Sequence, residues 1–189
     1  MKTTLNAVGL LMFFLITIGC RQDLHSELSS LQPTEQSATR RDVGCPSYSI
    51  VLESRNPDNN GNWVWVWSVQ NPNPGNGTNC TIQDLSHWGM QFGTCVTQSS
   101  ILNAAYSTNG TSWNSVSPNI QVDPSQECMT DPVLKFDHGT TGSAKTWYRI
   151  TVNHDYNVVS VPAYYKSGNR TGCGVIYISG MGCEPPPAR

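Results

Sequence analysis

The stretch Asn62-Trp63-Val64-Trp65-Val66-Trp67-Ser68-Val69 decides how the rest of the chain is read. Side chains of a strand alternate between two faces, so Trp63, Trp65, Trp67 and Val69 share one side and Val64, Val66 and Ser68 the other. Both sides are largely apolar. Such a segment belongs inside a sheet, with a hydrophobic layer against at least one face. Enclosed indoles bury about 150–250 Å² each, so three in one row suffice to anchor a small core. The same row left facing solvent would form a platform for a ligand. Periodicity alone leaves both roles open.

Outward from this strand, the chain alternates between strand-sized runs and turn formers. Tyr48, Ile50 and Leu52 alternate with Ser47, Ser49 and Val51 and predict a strand before it, joined through the turn residues 56–62. Residues 71–79, crowded with Asn, Pro and Gly, predict a loop. Trp88, Met90 and Phe92, set against His87, Gly89 and Gln91, predict a third strand. Residues 99–106 fit either a strand or a short helix. Asn109-Gly110 predicts a hairpin turn completed by 111–116. Short strands are expected at 119–122 and 133–137. The longest clean alternation is 145–153, with Trp147, Arg149 and Thr151 opposite Thr146, Tyr148, Ile150 and Val152. Residues 158–165 carry Pro162, which predicts an edge position or a bulge, and 174–179 closes the series. No segment sustains a 3.6-residue apolar period. The expected fold is therefore all-β, an antiparallel β-sandwich of immunoglobulin-like or jelly-roll-like kind, with a distorted barrel as the other closure.

The chain begins with a positive Lys2 and an uncharged, mostly apolar run from Ala7 to Gly19, followed by Cys20. At ~1.5 Å per residue that run extends only ~20 Å, short of the ~30 Å hydrocarbon core of a bilayer, so it reads as an export signal. Small Gly19 directly before Cys20 resembles the lipobox of bacterial lipoproteins, whose signal is cut ahead of a cysteine that carries lipid. The family usually places Leu, Val or Ile three residues before that cysteine, where this chain has Thr17. The resemblance implies a lipid-anchored protein of the bacterial cell envelope, with Cys20 as the attachment site. Arg21 stands where Asp would direct retention at the inner membrane in enterobacterial lipoproteins, which implies the outer membrane. An ordinary secretory signal, releasing a soluble protein, is the alternative.

Cysteine counting points the same way. The chain has seven cysteines, and an odd number in an exported protein leaves one thiol to explain. Assigning Cys20 to lipid leaves Cys45, Cys80, Cys95, Cys128, Cys173 and Cys183, an even set suited to three disulfides in an oxidising compartment. Their pairing is open, since six cysteines allow 15 connectivities. No close Cys/His spacing suggests zinc. The predicted organisation is a signal at 1–19, a lipid-anchored polar tether at 20–43, one disulfide-stapled domain at 44–183 and a Pro-rich tail at 184–189. As a flexible coil the tether reaches roughly 25 Å.

Little in the domain announces chemistry. His87, His138 and His154 belong to no hydrolase or metal spacing, and in Asp137-His138 and His154-Asp155 neighbouring side chains on extended backbone point apart. Asp58, Asn60 and Asn62 supply alternating oxygens, but the downstream bidentate Glu of a calcium loop is missing, and an Asn/Gly turn explains them. Asp123, Glu127 and Asp131 form a sparse acidic group. No catalytic residue, metal or cofactor is expected. A formal charge of −2, with 13% charged residues and no basic cluster in the domain, gives no footprint for nucleic acid. Abundant Asn, Ser, Thr, Gly, Tyr and Trp suit a neutral polar ligand, because amides and hydroxyls pair with sugar hydroxyls and indoles cover apolar sugar faces. The expected partners are the membrane, through the lipid, and a polysaccharide or cell-surface glycan. Ligand-binding candidates are Trp63, Trp65, Trp67, Trp88, Trp113 and Trp147, with Tyr164 and Tyr165 beside them. A structural envelope protein without a small ligand and a secreted hydrolase are the competing readings.

Overall fold

The computed structural model describes residues 45–125 and 127–183. The export signal at 1–19, Cys20 and the tether at 20–43, Gly44 and the tail at 184–189 lie outside the described residues. The strands are β1 (Ser49–Pro57), β2 (Trp63–Gln70), β3 (Leu85–Met90), β4 (Ile101–Ser107), β5 (Asn114–Val116), β6 (Ile120–Gln121), β7 (Val133–Phe136), β8 (Lys145–Val152), β9 (Asn157–Ser167) and β10 (Cys173–Gly182). They form two five-stranded sheets, ordered β1-β2-β8-β4-β5 and β10-β9-β3-β7-β6. All strand pairings within them are antiparallel. The two sheets pack face to face as a β-sandwich, with the core between them.

The tryptophan strand is interior to its sheet. β2 lies between β1 and β8, with Trp67 opposite Leu52 and Tyr148, and Trp65 opposite Arg55 and Ile150. Trp65, Trp67 and Val69 are 0% exposed. Across the core, Trp88 on β3 stacks on Phe136 at 5.3 Å and meets Tyr148 edge-on at 5.1 Å between ring centroids. Trp67 also ties the sheets together, its indole Nε1 donating to the Ser179 carbonyl of β10 at 2.8 Å. A carbonyl of the facing sheet thus satisfies the Trp67 N–H, whereas the buried indole N–H groups of Trp65 and Trp88 have no hydrogen-bond partner among the described residues.

Each sheet consists of two hairpins with one strand between them. Hairpins β1-β2 and β4-β5 flank β8 in the first, and β10-β9 and β7-β6 flank β3 in the second. Numbering the strands from the other end of the chain exchanges the two sheets. Each bridging strand therefore comes from the opposite half of the chain to at least one hairpin it joins.

Residues 99–106 contain both elements that their sequence allowed. Gln98–Ser100 is one turn of 3₁₀-helix, and β4 begins at Ile101. Thr97 and Ser100 cap that turn reciprocally through their hydroxyls, a local alternative to strand pairing. Pro162 corrects an expectation. β9 is not an edge strand, since it pairs with β10 along its length and with β3 from Ser167 to Ala163. The Pro162 carbonyl accepts from Gln91 N at 3.0 Å, so its missing N–H faces the side where β3 has just ended at Met90. One return bond is lost there, and the ladder is otherwise intact.

All six cysteines of the domain pair. Cys45–Cys80, Cys95–Cys183 and Cys128–Cys173 have Cα separations of 5.0, 5.5 and 5.8 Å, within the range a disulfide spans. The first pins the approach to β1 against the β2–β3 loop. The second joins the loop after β3 to the end of β10, and the third fastens the β6–β7 loop to the start of β10.

Candidate functional site: an aromatic and cationic strip on the outer sheet face

The six candidate tryptophans divide by position. Trp65, Trp67 and Trp88 are enclosed in the core and present no surface to a ligand, because the facing sheet covers them. Trp63 sits half-buried where the sandwich opens at its end. There the Arg55 guanidinium lies 4.5 Å over its ring and 5.3 Å from that of Trp65, and pairs with Asp155. This corner is closed by the protein's own ion pair. Trp113 and Trp147 remain half-buried, on the outer side of the first sheet.

The alternation of β8 creates that outer surface. Thr146, Tyr148, Ile150 and Val152 turn inward, leaving Lys145, Trp147, Arg149 and Thr151 outside. The cross-strand neighbours of Trp147 are Ser68 and Ser107, and those of Arg149 are Val66 and Ala105. Ser68 and Ser107 are buried although they lie on the outer face. Small neighbours on both sides let the long side chains of β8 lie down across the sheet rather than stand away from it.

The β4–β5 turn completes the strip. Ser107 Oγ donates to Asn109 Oδ1 at 3.0 Å and accepts from Gly110 N at 2.9 Å. Asn109 Oδ1 also accepts from Thr111 N at 2.9 Å and Ser112 N at 2.8 Å. This carboxamide-centred turn delivers Trp113 beside Arg149, whose guanidinium lies 4.4 Å from the Trp113 ring. Gly110 has φ +76°, and a Cβ placed on it would sit 3.5 Å from the Trp147 ring. Glycine suits the left-handed backbone, and the turn rests against the Trp147 ring at ordinary contact distance. At the other end Lys145 Nζ lies 5.8 Å from the Trp147 ring and pairs with Glu53 at 3.2 Å. Glu53 also accepts from Ser68 Oγ at 2.5 Å. Hydrogen bonds from Ser68 and Lys145 outweigh burial and hold its carboxyl below the ordinary range. Trp113, Arg149, Trp147 and Lys145 thus line one open face, two indoles interleaved with two cations.

The histidines fall elsewhere. His138 stacks on Tyr106 at 3.8 Å, while Asp137 beside it pairs with Lys135 at 2.9 Å. His154 meets Tyr156 edge-on at 5.2 Å, and its neighbour Asp155 is taken by Arg55. A cleft of about 290 Å³ lies here, lined by His154, Tyr156, Asn157 and the Cys95–Cys183 disulfide. His87 is different, because the fold brings it to an acid and a hydroxyl that are distant in sequence. On the outer face of the second sheet, the β6–β7 loop folds Asp123 and Ser125 over His87, Lys135 and Tyr164. Asp123, 3% exposed, accepts from Tyr164 Oη at 2.7 Å and from Ser125 Oγ at 2.7 Å.

That constellation contains the residue types of a hydrolase without its relay. Asp123 Oδ2 and Ser125 Oγ both approach the same nitrogen, His87 Nε2, at 3.4 Å, whereas a relay uses opposite ring nitrogens. The Ser125 hydroxyl donates to Asp123 instead of to the imidazole. Burial pushes the Asp123 carboxyl up, but its hydrogen bonds from Ser125 and Tyr164 and the charge of Lys135 hold it far below the usual carboxylate range. Burial, with Lys135, lowers the His87 pKa and keeps the ring neutral near pH 7. Burial and the bond to Asp123 raise the Tyr164 phenol well above its ordinary value. Gly89 makes room for it: a Cβ there would lie 2.6 Å from the Tyr164 ring. The cluster fastens the β6–β7 loop to the sheet, beside the Cys128–Cys173 bridge.

Tyr164 and Tyr165, also candidates by sequence, are both buried, one under this loop and the other in the main core. Asp58 Oδ1 accepts from Asn60 N at 2.8 Å and Asn62 N at 2.9 Å, so the calcium-like oxygens serve their own turn. No group of metal-holding side chains occurs among the described residues. Sequence reasoning missed Arg149 and Lys145 as members of the strip; their place on the same alternation as Trp147 was the available signal. The chain matches no protein-family model and no curated protein.

Proposed function

We propose that this chain is a lipid-anchored protein of the bacterial cell envelope, held in the outer membrane through Cys20, that binds glycans and performs no chemistry on them. The observation that carries the binding reading is the half-exposed strip of Trp113, Arg149, Trp147 and Lys145 on the outer face of the first sheet. An indole lying across a sheet offers a flat apolar surface for the C–H face of a sugar, and cations and loop amides at its rim offer donors for hydroxyl oxygens. The anchor reading is supported by the pairing of all six domain cysteines, which accounts for every cysteine of the sequence except Cys20. Disulfides also suit an oxidising compartment.

The burial of Trp65, Trp67 and Trp88 favours one competing role, a structural envelope protein with no small ligand. Two measurements decide between them. Intact mass of the protein from native membranes, with and without reduction and alkylation, should give an acylated Cys20 and six thiols released only by reduction. A glycan array probed with the same protein should give sugar binding that Trp147→Ala abolishes. An unmodified Cys20 refutes the anchor, and an array without a bound sugar refutes the glycan function and leaves the structural role.

A further inference from the structure

We infer that the glycan bound by this strip is an acidic one, a chain containing uronic or sialic acid, and that Arg149 receives its carboxylate. The inference rests on the glycan reading of the site. Arg55, Lys135 and Lys145 each face a carboxylate, from Asp155, from Asp123 with Asp137, and from Glu53. Arg149 has neither an ion pair nor a hydrogen bond among the described residues, and its Nε is buried without a partner. Its flanking residues across the sheet, Val66 and Ala105, offer no side-chain acceptor.

A partly buried, unpaired guanidinium is costly, and burial correspondingly lowers its pKa, although arginine stays charged at neutral pH. What holds it is the Trp113 ring, over which the guanidinium lies at 4.4 Å from the centroid. The ring covers one side of the guanidinium and, with Nε buried, leaves the terminal Nη1 and Nη2 pair to a ligand. That fork matches the planar, two-oxygen edge of a carboxylate. Trp147, two residues along β8 on the same side, is placed to take the adjoining sugar ring. Further along, Lys145 is neutralised by Glu53, so Arg149 carries the uncompensated charge of this face. A neutral sugar would leave that charge unpaired while displacing its water, which penalises neutral ligands as well as rewarding acidic ones.

The test uses the full chain, purified from membranes in detergent, with oligogalacturonate, sialyl-oligosaccharides and dextran sulfate as probes. Each carboxylated probe is compared with its carboxyl-reduced counterpart, which keeps the sugar ring and removes the charge. At least one acidic probe should bind about tenfold or more tightly than its reduced form, the loss expected for one charge-assisted bidentate contact. Arg149→Gln should bring the two forms within about twofold of each other, whereas Arg149→Lys should keep part of the preference, since a point charge without the fork remains. Far-UV circular dichroism and melting of both variants separate this from unfolding. Equal affinity for acidic and reduced forms overturns the inference while leaving the glycan reading intact. A preference unchanged in Arg149→Gln, or equal binding of dextran sulfate that vanishes in moderate salt, overturns it in favour of diffuse charge attraction. Failure of every probe, acidic or reduced, overturns the glycan reading itself.

Discussion

Replacing Tyr164 with Phe tests whether the buried carboxylate of Asp123 fastens the β6–β7 loop. The substitution removes one oxygen and leaves the ring lying over Gly89, so it opens no cavity of consequence. What disappears is a 2.7 Å hydrogen bond from a 0% exposed phenol to a 3% exposed carboxylate. A hydrogen bond to a charged group contributes about 1.5–3 kcal/mol net, and burial at this level spares it solvent screening. Ser125 and Lys135 remain to share the charge, which places the expected loss near the lower half, about 2 kcal/mol. With a urea m-value of about 2 kcal/mol/M for a domain of this size, the midpoint should fall by about 1 M at unchanged m. Combining Tyr164→Phe with Asp123→Asn should give less than the sum of the single losses, by about 1 kcal/mol or more, because both remove the same contact. A Tyr164→Phe loss below about 0.5 kcal/mol, or strict additivity in the double variant, would show that the carboxylate is satisfied without Tyr164 and refute the phenol's part in fastening the loop.

Acid should destabilise the domain in two phases. Burial lowers the His87 pKa, so the unfolded chain takes that proton first, and the stability present above about pH 6.5 declines as pH falls below it. Asp123, whose pKa is also depressed when folded, adds a second decline beginning near pH 4 as its unfolded form protonates. Thermal melting of His87→Asn against pH should show a shallower first phase and an intact second. The first phase shrinks without vanishing, since burial also lowers the His138 pKa; an unchanged slope between pH 7 and 5 contradicts the assignment. Trp67→Phe should cost about 2–3 kcal/mol through a cavity and an orphaned Ser179 carbonyl, yet leave sugar binding untouched. Trp147→Ala should do the reverse, costing under about 1 kcal/mol while abolishing binding. Paired denaturation and binding curves check both.

The sandwich was legible because its signal is local. Alternation in residues 62–69 and 145–153 named both the strands and their two faces, and Asn109-Gly110 marked the hairpin that carries Trp113. Alternation did not tell Trp63 from Trp67, because their difference in burial comes from where along the strand the facing sheet stops. Pro162 misled for a related reason: an interior strand tolerates a missing N–H where its neighbour has already ended, and a neighbour's end is a property of the other chain segment. The strip was half visible. Trp147 and Arg149 share a face by sequence, but Trp113 reaches Arg149 only because β5 pairs with β4 and β4 with β8. The Asp123 cluster was not legible as a unit, since His87, Lys135 and Tyr164 meet only through the docking of β3 between β7 and β9.

The interleaving of the two sheets also sets an order of events for a chain that emerges from its N-terminal end. Hairpin β1-β2 carries the indole row from the start, but the strand that shields its inner edge, β8, begins only at Lys145, and its facing sheet closes with β10 at Gly182. β3 likewise waits for β7 and β9. Until then the tryptophans lie open on a sticky, half-finished ribbon. Such long-range pairing makes folding slow and exposes intermediates to aggregation. Cys183 directly follows β10, the last strand in chain order, so the Cys95–Cys183 bridge can close only once every strand has emerged, and it would then act as a latch on the completed fold.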